Sequence, residues 1–139
     1  MRGEYGKPVP RPLGPEVSRP FWEAAREHML VMPRCTACGH MFFYPRSECP
    51  ECLEDGIEWV QVSGCGTVYS FTIVRQPADP AFRDDVPYPY AIVELDEGPR
   101  MVTTIVGCDV EDVRIGMRVS AVFDDVTPEW TLVKFGPAE

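Results

Sequence analysis

Apolar and polar positions change their period once along this chain. Over residues 18–27, Phe21, Trp22 and Ala25 recur at helical spacing. They follow Ser18, which can cap a first turn, and Pro20, which is tolerated near a helix start, so one short helix is predicted there. Pro33 stops anything helical before the first cysteine. Beyond Gly56 the pattern becomes short runs rich in Val, Thr, Tyr, Phe and Ile, over residues 57–62, 66–74, 88–95, 101–106, 118–123 and 130–135. Ser63-Gly64-Cys65-Gly66 separates the first two runs, and Asp96-Glu97-Gly98-Pro99 marks a hairpin between the third and fourth. Six short strands in about 80 residues, with no helix among them, predict a mainly β chain ending in a small closed or nearly closed antiparallel barrel.

The segments between these elements carry their own information. Residues 1–15 hold four prolines and three glycines, which predicts an extended arm, mobile or laid along a partner. Residues 76–87 (QPADPAFRDDVP) form a twelve-residue connection with three prolines, long for a link between two strands; it is either a solvated excursion or functional. Three units are therefore expected: an arm over 1–15, a helix plus cysteine-rich unit over 16–56, and the barrel over 57–139.

Composition narrows the classes. With 139 residues, 45% hydrophobic and 25% charged, the chain has the apolar content of a folded domain. No apolar run approaches the ~20 residues of a membrane span, and residues 1–15 lack the apolar stretch of a secretory signal, so a cytoplasmic protein without a membrane partner is expected. The net charge is −9, and it is uneven: residues 1–56 hold 7 basic and 8 acidic side chains, residues 57–139 hold 6 and 14. An acidic barrel repels a phosphate backbone, which argues against nucleic acid as a partner.

The most specific signal is the pair Cys35-Thr-Ala-Cys38 and Cys49-Pro-Glu-Cys52, ten residues apart. Each C-x2-C knuckle aims two thiolates at one point, and two knuckles complete a tetrahedral four-sulfur site of the kind Zn²⁺ prefers. Four protein ligands leave no open position, so such a site is structural. A disulfide framework is the alternative, disfavoured in a cytosolic chain, and iron could replace zinc in the same four sulfurs. Gly39 after the first knuckle suits a positive φ, and Pro50 stiffens the second. Cys65 and Cys108 are isolated and read as small buried residues of barrel turns.

Little else carries chemistry. His28 and His40 are the only histidines, both outside the barrel, so no Ser-His-Asp arrangement can be drawn. The adjacent acids Asp84-Asp85, Asp96-Glu97, Glu111-Asp112 and Asp124-Asp125 read as loop and cap residues rather than an acid–base pair. Tyr69 and Phe71, and Tyr88 and Tyr90, fall at period two, so each pair is expected to share a face. With only Arg75 nearby, that stripe reads as core or protein interface rather than a base-stacking platform.

Three segments together resemble a known family. Pro33-Arg-Cys-x-x-Cys-Gly-His40, then Phe43-Tyr-Pro-Arg-x-x-Cys-Pro-x-Cys52, then Ser63-Gly-x-Gly-x-Val-Tyr-Ser-Phe-Thr-Ile-Val74 are similar to proteins that join a rubredoxin-like zinc ribbon to an acyl-CoA-associated OB-fold, long known as a domain of unknown function. The pattern from Pro87 to Leu95, Ile115-Gly-Met-Arg-Val119 and the Phe21-Trp22 helix also fit, so the likeness covers residues 16–135. It implies a zinc ribbon held by Cys35, Cys38, Cys49 and Cys52, an OB-fold barrel over 57–139, and a companion role beside thiolase-like aldolases or thiolases, or enoyl-CoA hydratases, in lipid or steroid side-chain breakdown. No catalytic residue carries over. Acyl-CoA is then expected to reach the chain through the partner, with Arg75, Arg83 or Arg100 adding at most one contact. Phe21, Trp22, Tyr69, Phe71, Phe82, Tyr88 and Tyr90 are the candidate partner interface. A two-fold symmetric partner would give a heterotetramer. A nucleic-acid-binding ribbon with OB-fold and an iron rubredoxin-like electron carrier are the competing readings.

Overall fold

In the computed structural model, which describes residues 6–12 and 15–138, helix α1 runs from Pro15 to Arg26. It therefore begins ahead of the start expected at Ser18: Pro15 takes the first helical position, where its missing N–H costs nothing. Ser18 thus lies inside the helix rather than capping it, with its hydroxyl oxygen buried and unpartnered. Pro20 is also inside, and Phe21 and Ala25 are the buried positions. The helix stops where His28 adopts φ +61°, with the Met29 N–H donating back to Ala24 O at 2.9 Å.

A two-stranded sheet follows, from β1 (Val31–Cys35) and β2 (Ile57–Gln61), antiparallel with Cys35 opposite Ile57 and Pro33 opposite Trp59. The run expected to open the barrel thus pairs with β1 and, among the described residues, with no strand of the five-stranded sheet. Gly64, at φ +80°, turns the chain before the next strand.

Five strands form the barrel: β3 (Cys65–Val74), β4 (Tyr88–Leu95), β5 (Arg100–Thr103), β6 (Arg118–Asp125) and β7 (Thr131–Pro137). Their order is β5-β4-β3-β6-β7, all antiparallel. A parallel bridge between Ile105 and Phe135 links the two outer strands; Phe135 N donates to Thr104 O at 3.1 Å and Val106 N to Phe135 O at 2.8 Å. A long first strand shared by two partners, closed by parallel pairing of the third and fifth, is the OB-fold arrangement.

One bulge decides which side chains face inward. Val68 opposes Val93, yet the next partner of Ile92 is Ser70, so Tyr69 is the extra residue. Tyr69 is consequently exposed, whereas Phe71, opposite buried Ala91, packs against the core. The two do not share a face, contrary to the period-two expectation. Tyr88 and Tyr90, on an unbulged strand, do share the side opposite Pro89 and Ala91.

The core is continuous across the chain. Val68, Val93, Val119 and Phe135 pack with Phe21, Leu30 and Met32 in one cluster, so the helix and two-stranded sheet share apolar interior with the barrel. Loop 76–87 contains a 3₁₀ turn, Pro80–Asp85, capped by the Asp79 carboxylate accepting from Ala81 N at 2.8 Å. Of the expected arm, residues 1–5 and 13–14 lie outside the described residues. In its described part, Lys7 pairs with Asp85 of that loop at 3.2 Å, so this stretch meets its own chain.

Truncating Phe135 to Ala, at the barrel seam and fully buried, is expected to cost about 3–5 kcal/mol of unfolding free energy by denaturant titration. The Arg118 guanidinium grips both oxygens of Asp96 at 2.7 and 2.9 Å and holds its carboxyl below the ordinary aspartate range. A depressed carboxyl stabilises above its unfolded pKa and loses that contribution as pH falls through the folded value. The melting-temperature gap between wild type and Asp96→Asn should therefore be widest near neutrality and close in acid; an unchanged gap at pH 3 would show the pair to be inert.

Candidate metal centre

The end of β1 delivers Cys35 to the first knuckle, and the second hangs below it on the chain between β1 and β2. Each knuckle folds its backbone around a sulfur: Ala37 N and Cys38 N donate to Cys35 Sγ at 3.3 and 3.4 Å, and Glu51 N to Cys49 Sγ at 3.3 Å. Each also turns through a left-handed residue just after its second cysteine, Gly39 at φ +80° and Leu53 at φ +67°. The two turns close alike, Gly39 N donating to Cys35 O and Leu53 N to Cys49 O, both at 2.9 Å.

The four sulfurs converge. Cys35 and Cys52 stand 3.5 Å apart, Cys38 and Cys49 3.7 Å, and all four lie within 4.8 Å of one another. A tetrahedral ion with ~2.3 Å metal–sulfur bonds spaces its ligands about 3.8 Å apart, so the cluster fits an ion at its centre. A disulfide would need sulfurs at ~2.05 Å, and each of these cysteines is a free thiol.

Electrostatics point the same way. The Cys38 and Ala37 backbone N–H groups and the Cys52 thiol hold Cys35 down at about 7, against the pull of burial. At Cys52 the Glu54 backbone favours the thiolate, but burial and the other three sulfurs outweigh it and push the group up to about 12. Four neighbouring thiolates cannot form together without a cation among them. Cys35, Cys38, Cys49 and Cys52 are thus positioned to bind a metal ion. His40 stays outside the cluster, its ring stacked on Phe42 at 6.0 Å.

The candidate interface residues scatter. Phe21 is buried in the chain's own core at 5% exposure, because α1 turns it inward. Trp22 and Phe71 are half-buried against that core, and Phe82 and Tyr88 are half-buried as well. Only Tyr69 (47%) and Tyr90 (49%) are broadly exposed. Cys65 and Cys108 are half-buried rather than buried, and burial together with Asp112 and Asp109 raises the Cys108 thiol.

A mostly apolar groove of about 480 Å³ runs between helix, ribbon and barrel, lined by Phe21, Trp22, Phe43, Tyr44, Met101 and Val133 among others. A second, of about 390 Å³, is lined in part by Lys7, Asp85, Cys108 and Lys134. Arg75, Arg83 and Arg100 line neither.

The adjacent acids are largely structural. Asp124 pairs with Lys134 at 2.6 Å, Glu97 accepts from Ser63 N at 2.9 Å, and Asp125 accepts from Thr131 at 2.5 Å. Sequence reasoning missed His28, whose Nε2 lies 2.9 Å from Asp125 while its ring stacks on Phe123, tying the end of α1 to β6. It missed Tyr44 too, whose hydroxyl accepts from Val102 N at 3.4 Å. Neither has a local signal, since each partner is far along the chain.

Among the described residues, no helix is long and apolar enough to cross a membrane. Family models match both parts: the ChsH2 rubredoxin-like zinc ribbon domain over residues 22–58 and the ChsH2 C-terminal OB-fold domain over residues 59–124. A DUF35 domain-containing scaffold protein of Methanothermobacter thermautotrophicus is 38% identical over 82% of this chain and 86% of its own length. A probable enoyl-CoA hydratase alpha subunit of Thermomonospora curvata is 41% identical over 85% of this chain, which spans only 37% of that subunit. Among solved structures, a chain of the Ltp2-ChsH2(DUF35) aldolase superposes with TM-score 0.83 at 38% identity, covering 93% of this chain and all of the other.

Elemental analysis of the purified protein is expected to find one metal ion per chain. Cys38→Ser and Cys52→Ser should each lower that ratio and destabilise the ribbon. Full removal by a chelator should unfold it, since metal binding supplies roughly 10–16 kcal/mol in comparable small zinc units.

Proposed function

The chain belongs to the DUF35 family of ChsH2-type zinc ribbons joined to OB-folds, and on that premise we propose that it is a non-catalytic companion subunit of an acyl-CoA-processing enzyme. The observation that carries this reading is the whole-length likeness to a chain of an aldolase complex. The partner is a thiolase-like aldolase or thiolase, or an enoyl-CoA hydratase, acting on the thioester-linked side chain of a lipid or steroid. The division into arm (1–15), helix plus ribbon (16–56) and OB barrel (57–139) is part of the proposal, supported by family models that meet between residues 58 and 59.

Both histidines contact the chain's own side chains, which favours a supporting rather than a catalytic role. His28 is engaged by Asp125 and His40 lies against Phe42. Coenzyme A belongs mainly to the partner in this reading, because Arg75, Arg83 and Arg100 stand away from both grooves and the chain carries −9. The ion is zinc: a four-sulfur set with no open position suits a redox-inert, purely structural metal, which would hold the two knuckles together. Four thiols kept reduced for that purpose fit a cytoplasmic protein.

Tagged chain expressed in its native host should retain a thiolase-like or hydratase protein at near-equal stoichiometry, read by mass spectrometry, and should be colourless with zinc as its metal. Recovery of the chain alone would overturn the companion reading. A red, iron-containing protein would overturn zinc.

A further inference from the structure

The seam between the outer strands of the barrel is joined at one end only. Ile105 and Phe135 are bridged, yet among the described residues no backbone ladder joins β5 to β7 ahead of that bridge. There the Thr103 hydroxyl reaches across instead, donating to Val133 O at 3.0 Å. The mostly apolar groove of about 480 Å³ lies along this opening, with Met101 and Val102 on one bank and Leu132 and Val133 on the other. Rings from α1 and the ribbon complete it, the Phe43 centroid standing 5.2 Å from Phe21 and 4.5 Å from Tyr44.

A concave apolar site of this volume suits a small molecule, and its polar groups narrow which kind. Among the described residues lining the groove, Lys134 is the one charged side chain, and Asp124 neutralises it at 2.6 Å. Nothing is left over for a phosphate. The hydroxyls of Tyr44, Thr103 and Thr104 are engaged as well, by Val102 N, Val133 O and Pro89 O. Ser18 is the exception: it lines the groove, and its hydroxyl oxygen is buried with no hydrogen-bond partner. That state costs free energy until a partner atom is supplied. Rotation about the one side-chain torsion of serine can bring the hydroxyl to a ligand oxygen in the groove.

We infer that this opening in the barrel seam binds the uncharged, apolar end of a lipid or steroid acyl thioester, held by the aromatic walls and by one hydrogen bond from Ser18 to a ligand oxygen. The inference rests on the companion-subunit reading for the source of the ligand and adds where its apolar end is seated. A charged nucleotide finds no free cation here, whereas a neutral ring system or acyl chain with one oxygen finds apolar walls and an unpaired donor.

Equilibrium dialysis of the full, metal-loaded chain against two uncharged probes, progesterone and methyl decanoate, tests this. Saturable binding of one molecule per chain is expected for at least one of them; progesterone alone assigns the groove to a steroid, the ester alone to an open acyl chain. Val102→Trp, which fills the groove from an exposed position, should weaken that binding at least about tenfold, with melting temperature and metal content unchanged. Ser18→Ala should bind about three- to tenfold more weakly while melting no earlier than wild type, since the hydroxyl it removes has no partner to lose. Ile115→Ser, exposed and off the groove, should bind within about twofold of wild type. Binding of neither probe, or binding that Val102→Trp leaves intact, overturns the groove assignment, and so does displacement of the bound probe by free coenzyme A. Each of these results leaves the companion reading standing wherever the wild-type chain still recovers its enzyme subunit. Recovery of no subunit overturns that reading, and the acyl thioester as the ligand's source with it.

Discussion

Closure of the barrel at Phe135 is the constraint on which the rest of the molecule hangs. Its N–H and C=O both engage residues 104–106, converting an open five-stranded sheet into an OB-fold, while its side chain is fully buried among Val68, Val93 and Val119. An unclosed sheet would leave β5 and β7 as bare edges and expose the interior to which Phe21, Leu30 and Met32 contribute. The helix and the β1–β2 sheet are therefore extensions of one core rather than an appended bead.

The ribbon depends on a second, chemical constraint. The segment from Thr36 to Gly56 has short turns and few buried apolar side chains, too few to order it by packing alone. Four sulfurs gathered within 4.8 Å supply the missing restraint once a cation sits among them. Leu53 marks the cost of that geometry, since it holds a left-handed backbone conformation that glycine fills in the other knuckle. The four-sulfur centre and the barrel seam thus restrain different parts of a single chain.

Much of this was legible locally. The C-x2-C pairs, their ten-residue spacing and the glycine after the first knuckle announce the metal centre within 18 residues of chain. Strand positions were legible too: the runs at 88–95 and 118–123 match β4 and β6 closely, because alternating apolar residues bounded by turn formers act over a few residues. The helix start was misplaced because Ser18 has the chemistry of a cap, yet Pro15 reaches the first helical position before it. Phe21 was read as interface because its exposure depends on Leu30 and Met32, which a helical pattern does not reveal.

The sequence by itself determined the element types, the four-sulfur centre and the acidic character of the barrel, all set by neighbours within a turn or hairpin. The tertiary structure alone decided which strand joined which sheet, which tyrosine faced outward and how the ends were tied. Ile57–Gln61 reads as a barrel strand until its pairing with Val31–Cys35 is seen. The bulge at Tyr69 exists only relative to β4. The His28–Asp125 pair joins residues 97 apart, and Arg118 finds Asp96 across the barrel. Contacts of that kind depend on the closed fold, which fixes distances that no local pattern carries.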